Sequence, residues 1–280
     1  MSNYYYCLVA GLPDIAFDGS KSAYTVERFK EEIYPELSVA DAVCVDLFFL
    51  ERDNANMLNI LRHGDDAVIG QYGCYSRQEL EEIISSAKNG DAPMKGIPSY
   101  IYRFVEHYVS NEGNTNIIWE DLLSAYYYDY ATVCANGFIA DWFTFNKNVN
   151  NILVAFAARK YKMNIAEAVI GDGEVAEALR TSGARDFGLT GTLDYFESIQ
   201  RLNENDRLQE RERQLDDIRW KWLEDNSVFN YFTVERLFVF LLKLSIIERW
   251  SKLDADKGME RYNEMIAELK SGMDSKSVEL

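Results

Sequence analysis

The chain has 280 residues, 48% of them hydrophobic, and carries 46 Asp and Glu against 29 Lys and Arg for a formal charge of -17. That length and apolar content supply a core for one large domain or for two or three small ones, and they exclude a disordered or fibrous chain. The acidity, with no run of Lys or Arg, argues against nucleic acid as a partner and against a flat seat on anionic lipid.

In chain order, Tyr4 to Ala10 is aromatic and apolar and reads as a short extended segment or one buried turn, ended by Gly11, Leu12 and Pro13. Asp14 to Ser22 is a loop, and Thr25 to Ile33 a short amphipathic helix stopped by Pro35. Ser38, with Asp41 three residues on, opens a long helix to Arg62, closed by Gly64, Asp65 and Asp66. Ser76 and Glu79 form an S-x-x-E capping box for a helix to about Lys88. Asn89 to Pro98 is a loop, with Pro98 placed to start the next helix, which carries Tyr100, Phe104 and His107 at helical spacing. After the polar break at Asn111 to Asn116, a helix runs from Trp119 to Ala135 and stops at Asn136-Gly137.

Phe138 to Lys162 is the second long helix. Gly171-Asp172-Gly173 breaks the chain, and Asp172 is placed to cap a short helix from Glu174 to Arg180. A loop over Thr181 to Gly191 leads to a helix from Thr192 to about Arg201. Leu208, Leu215, Ile218 and Trp222 make a narrow apolar stripe on the charged segment Glu204 to Asp225, the pattern of a helix wet on most sides. Thr233 to Leu253 is long and strongly apolar, Lys257 to about Leu269 closes the fold, and Ser271 to Leu280 frays. Convincing strands are missing, so the expected class is an all-α multi-helix bundle. The opening has no basic leader, and the longest apolar run, Leu237 to Ile247, is short for a membrane span and holds Lys243. A soluble cytoplasmic protein is expected.

Catalytic patterns are weak. Cys7, Cys44, Cys74 and Cys134 are scattered without a C-x-x-C pair and read as free thiols of a reducing compartment. His63 closes a helix and His107 lies on an aromatic face; neither belongs to a metal-ligand pattern. The G-D-G-E at Gly171 to Glu174 lacks the G-K-[ST] of a phosphate loop and reads as a helix connection. Asp216-Asp217-Ile218-Arg219-Trp220 is the nearest approach to the DDxxD of isoprenoid synthases, but it lacks the final acid and Arg219 opposes magnesium. The pairs Glu81-Glu82 and Asp216-Asp217 read as solvated faces. The tyrosines Tyr4 to Tyr6, Tyr126 to Tyr128 and Tyr130 divide between core and exposed surface, with a docking surface as the alternative. No enzyme, metal or cofactor is expected.

One helix is written twice. FFLERDNANMLNILR (Phe48 to Arg62) and FTFNKNVNNILVAFAAR (Phe143 to Arg159) align at an offset of 95, with Asp53 on Asn148 and Asn56 on Asn151. Polar residues three apart share one helix face and are placed to fix the register of a neighbour. FNYFTVERLFVFLLK (Phe229 to Lys243) follows more faintly at a further offset of 86, with Phe229 on Phe143, and with Val234 and Leu237 at the polar positions. Repetition at roughly 90 residues divides the chain into helical modules at 1–90, 91–185 and 186–280, the alternative being one continuous domain.

Asp53-Asn54-Ala55-Asn56-Met57-Leu58 with Arg62, its partner Asn148 to Leu153 with Arg159, and the closing FTVERLFVFLLKLSIIERW with Lys243 and Glu248 resemble the C/d family of V-type/A-type ATPase rotor proteins. The N-terminal YYYCLVAGLPDIAFDG looks more specifically like an uncharacterised bacterial family encoded among V-type ATPase genes. The chain departs from ordinary members of the C/d family in its N-terminal Leu-Pro and in an eroded third module. The resemblance implies a non-catalytic, funnel-like rotor component that seats the central stalk on the membrane proteolipid ring for ion transport. It implies a cytoplasmic location, peripheral to the inner membrane through the ATPase complex. Asp53, Asn56, Arg62, Asn148, Asn151, Arg159, Lys243 and Glu248 are then candidates for partner binding or internal register. The competing expectation is an unrelated helical scaffold or adaptor.

Overall fold

The structure is a computed structural model and describes residues 4–17 and 24–253. Its helices are α1 (Tyr6–Ala10), α2 (Val26–Glu32), α3 (Val39–His63), α4 (Arg77–Lys88), α5 (Ser99–Ser110), α6 (Trp119–Ala131), α7 (Gly137–Tyr161), α8 (Ile165–Ala168), α9 (Glu174–Thr181), α10 (Phe196–Asn203) and α11 (Leu208–Asn226). A last helix, α12, covers residues 234–253. Among the described residues there is no strand, so the fold is all-α as the periodicity predicts. The closing helix expected over 257–269 and the fraying end after it lie outside the described residues.

Local chemistry sets the helix starts. The Ser38 hydroxyl accepts the Asp41 amide at 3.2 Å, and Thr25 accepts the Arg28 amide at 3.1 Å. Ser76 and Glu79 close both halves of their capping box. Each such cap is worth about 1 kcal/mol of helix stability.

Several boundaries differ from expectation for visible reasons. α6 ends at Ala131, not Ala135, and Asn136 caps the following helix instead, accepting the Ile139 amide at 3.1 Å. α9 starts behind Gly173 without a side-chain cap, while Asp172 leans to Arg180 at 3.9 Å. α10 begins at Phe196, four residues later than expected, and α8 adds a short turn. The first segment forms α1, a helix with no buried residue. α11 is covered on more sides than its stripe implies: Leu208 is exposed, while Asp216, Trp220 and Leu223 join Leu215 and Ile218 in burial. Trp220 packs in a small cluster with Ile246, Ile247 and Trp250 of α12, which is what covers the extra face.

One continuous hydrophobic core runs from Tyr24 to Leu244 through all three thirds of the chain. Three long helices, α3, α7 and α12, organise it. Their N-termini meet at one end through a closed ring of contacts. Cys44, in the second turn of α3, lies 3.3 Å from Cys134, just before α7. The α7 cap Asn136 donates to Glu235 of α12 at 2.8 Å. The Phe232 carbonyl, just before α12, accepts the Tyr5 amide at 2.6 Å, and the Tyr5 hydroxyl donates to Asp41 of α3 at 2.5 Å. The three helices therefore start together and run the same way.

Candidate functional site

The repeated polar positions act first on the chain itself. Asn56 makes a two-way amide clamp on the segment after α3: its Nδ2 donates to the Gly70 carbonyl at 2.9 Å, and its Oδ1 accepts the Gly70 amide at 2.7 Å. Asn151 does the same after α7, donating to the Ile170 carbonyl at 2.9 Å and accepting the Ile170 amide at 3.0 Å. An amide side chain is the one group that satisfies both a backbone donor and a backbone acceptor in this way. Tyrosines repeat with the clamps at the same spacing of 95 residues. Tyr100 donates to Asn54 at 2.7 Å, and the Tyr195 hydroxyl meets Asn148 at 3.4 Å.

The faint third match at an offset of 86 does not hold in the structure. Phe229 and Tyr231 precede α12 and are exposed, so they do not match the helical Phe143 and Phe145. Helices α7 and α12 start at residues 137 and 234, an offset of 97 that places Glu248 on Asn151. The Glu248 carboxylate accepts the Val26 amide at the start of α2, at 2.5 Å. Each long helix thus holds the backbone of another segment with a polar side chain in its second half.

The other sequence-selected residues are also engaged internally. Asp53 is buried and accepts the Cys74 amide at 2.6 Å and the Tyr75 amide at 3.3 Å. Burial pushes its carboxyl above the usual range, and those amides pull it back. Arg62 pairs with Glu120 at 2.5 Å on the surface. Arg159 lies 3.7 Å from the centre of the Phe187 ring and donates to the carbonyls of Ala184 and Arg185. Lys243 lies over the Trp220 ring and pairs with Glu224 at 2.9 Å. His107 packs edge-on against Trp119 and Tyr126. Gly73 is where this packing tolerates no side chain, because a Cβ there would fall 2.0 Å from Asp53 Oδ1. Gly73→Ala is expected to cost roughly 1–3 kcal/mol, read as a lower urea midpoint. An unchanged midpoint would refute the tight seat given to Asp53.

The middles of the long helices border a cavity of about 230 Å³, with Phe48 and Glu51 from α3, Phe143 and Asn150 from α7, and Ser245 from α12 on its wall. It adjoins a second cavity of about 320 Å³ that shares Glu51, Tyr127, Tyr128 and Asn150. Glu51 is open to water yet ringed by protein. That enclosure pushes its carboxyl above the ordinary range, against the pull of Arg219 and Arg52. A carboxyl raised by folding contributes stability that is full below its unfolded value and lost as pH rises through its folded value. Wild type is therefore expected to lose melting temperature relative to Glu51→Gln as pH rises above the ordinary glutamate range. Parallel melting curves over that rise would contradict the enclosure.

Beside the cavity lies a network that sequence reasoning assigned to solvent. Asp216 is only 1% exposed. Its carboxylate pairs with Arg249, meets Arg219 at 3.4 Å and accepts the Trp250 indole N–H at 2.8 Å. Arg219 also donates to Asn146 of α7 at 3.1 Å, so α7, α11 and α12 are tied together. Asp217 and Glu82 do face solvent, and Asp217 pairs with Lys221 at 3.3 Å. The missed signal for Asp216 was its place beside Leu215, on the flank of the stripe. For Glu51 it was register: an offset of 95 puts it on Asn146, a polar position repeated with a different residue.

The end where the long helices start gathers some of the tyrosines for which a docking surface is the alternative to core. Tyr4 stacks on Tyr6 with ring centres 5.5 Å apart, and Tyr6 packs on Phe232 at 4.8 Å. Around them Val39, Val133, Phe229 and Tyr231 are exposed, Phe229 to 87%. This is an aromatic rim on an otherwise acidic molecule. Among the described residues, no three His, Cys, Asp or Glu side chains gather to hold a metal ion, and no helix is long and apolar enough to cross a membrane.

A family model described as a protein of unknown function (DUF2764) matches residues 1–273. No curated protein and no solved structure shows a match to the chain.

Proposed function

We propose, from the premise that the chain belongs to the DUF2764 family, that it is a non-catalytic rotor-coupling component of a V-type/A-type ATPase. On this reading it joins the central stalk to the proteolipid ring, on the cytoplasmic side of the membrane, and passes torque for ion transport. The observation that carries the reading is the set of three co-directional long helices, each of which holds backbone with a polar side chain in its second half, Asn56 and Asn151 by two-way clamps and Glu248 by accepting one amide. A rotor element between a ring and a shaft works through repeated, stiff walls about an axis, and this arrangement supplies them. The clamps keep the connecting segments in register, so load applied at one end reaches the other without slack.

The aromatic rim at the shared N-terminal end is the docking face for the ring. Tyr and Phe give contact area with little loss of side-chain entropy, and they suit a boundary that is apolar on one side and wet on the other. The net charge of -17 keeps the rest of the molecule off the lipid. A cavity of about 230 Å³ holds a few side chains, whereas a helix is about 10–12 Å across, so the axial seat takes inserted side chains and not a whole shaft.

The test is affinity purification from native membranes in mild detergent, with mass spectrometry of what accompanies the tagged chain. Recovery of proteolipid and central-stalk proteins is expected. Recovery of the chain alone, with the ATPase intact in the same extract, would overturn the rotor reading and leave a scaffold role in its place.

A further inference from the structure

We infer that Cys44 and Cys134 form a reversible dithiol–disulfide pair whose oxidant is a hydroperoxide. The pair stands on geometry independent of the rotor reading. The two sulfurs, 90 residues apart in sequence, are 3.3 Å apart with no other cysteine in contact. Cys44 is buried in the second turn of α3, while Cys134 is half-buried in the turn between α6 and α7, so one sulfur meets solvent and the other waits behind it. In the turn before α7 the backbone amide of Ala135 favours a thiolate at Cys134, and that of Asn136 serves both sulfurs. The hydrogen bond the two sulfurs share lowers the Cys134 thiol and raises that of Cys44, which burial raises further. The roles follow from access: the half-buried Cys134 is the attacking sulfur and the buried Cys44 the resolving one.

In the first step the Cys134 thiolate attacks the peroxide. An S–O bond forms, the O–O bond breaks, and water or an alcohol leaves once protonated, giving a sulfenic acid. In the second, Cys44 attacks that sulfur, the S–S bond forms, the S–O bond breaks, and the Cys44 proton leaves in water. The peroxide takes two electrons and the thiols lose two. A dithiol reductant reverses the result by exchange. The product staples α3 to the turn before α7, inside the ring of contacts that joins the long helices at their common end.

The test uses the full chain with hydrogen peroxide at neutral pH, followed by intact mass and peptide mapping without reduction. Expected are loss of two hydrogens per chain, a peptide linking Cys44 to Cys134, a raised melting temperature, and full reversal by dithiothreitol. Cys134→Ala should abolish the link. Cys44→Ala should leave a sulfenic acid on Cys134 that dimedone traps, which keeps the assignment of roles testable if the link is lost. Oxidation of the exposed Cys7 ahead of Cys134, links to Cys7 or Cys74, or only intermolecular dimers would overturn the inference.

Discussion

Asp216→Ala is expected to lower stability by roughly 3–5 kcal/mol, a large share of the margin of any domain. The aspartate is buried, and its removal leaves an indole N–H without its acceptor and takes from Arg219 and Arg249 their buried partner, with Asn146 and Glu212 still in reach of them. Arg249 is 42% exposed and recovers some water, which places the result toward the lower end. Asp216→Asn keeps an acceptor for Trp250 and should lose less. Asp217→Ala, next in sequence, removes only an exposed pair with Lys221 and should change stability by about 0–1 kcal/mol. Urea unfolding of the three variants distinguishes the cases. Equal losses at Asp216 and Asp217 would show that the network does not bind α7, α11 and α12 together.

Asn56→Ala and Asn151→Ala should each cost about 2–3 kcal/mol, and by similar amounts. Each leaves one backbone N–H and one carbonyl without a partner, at about 1–3 kcal/mol per group, softened because Gly70 and Ile170 are half-buried and reachable by water. The aspartate variants add a sign. Asn56→Asp keeps an acceptor for the Gly70 amide but turns its second oxygen toward the Gly70 carbonyl. The ionised form is therefore disfavoured in the fold and the carboxyl is raised. Its stability is best at acid pH and is lost as pH rises through the raised value. Urea midpoints at two pH values measure this. A large loss at one asparagine with none at the other would break the equivalence of the two helices.

Much of the fold was legible because its signals are local. Ser38, Ser76 and Pro98 mark helix starts through backbone chemistry that needs no tertiary partner. The pairing of Asn56 with Asn151 was legible because an identical polar residue in two apolar stripes is costly without a purpose. What those residues hold was not legible, since Gly70 and Ile170 lie at different distances along the chain. Asn136 misled because the same residue type ends one helix and caps the next, and only the bond it accepts from the Ile139 amide decides. The third copy was misaligned because Phe229 and Tyr231 resemble buried aromatics in composition. Nothing in the sequence says that they precede α12 and remain in water. The burial of Asp216 depends on Trp250 and Arg249 folding over it from 33 or 34 residues away, a relation no local pattern records.

The measurement that bears most directly on the rotor reading is a site-specific photocrosslink from Phe229, made in native membranes and identified by mass spectrometry. Phe229 is the most exposed side chain of the aromatic rim and belongs to no internal packing that the probe would disturb. The account predicts an adduct with the proteolipid of a V-type ATPase, lost when Tyr6 and Tyr231 are both changed to aspartate. Adducts only with proteins outside that complex, or none while the assembled ATPase is present in the same membranes, would contradict it.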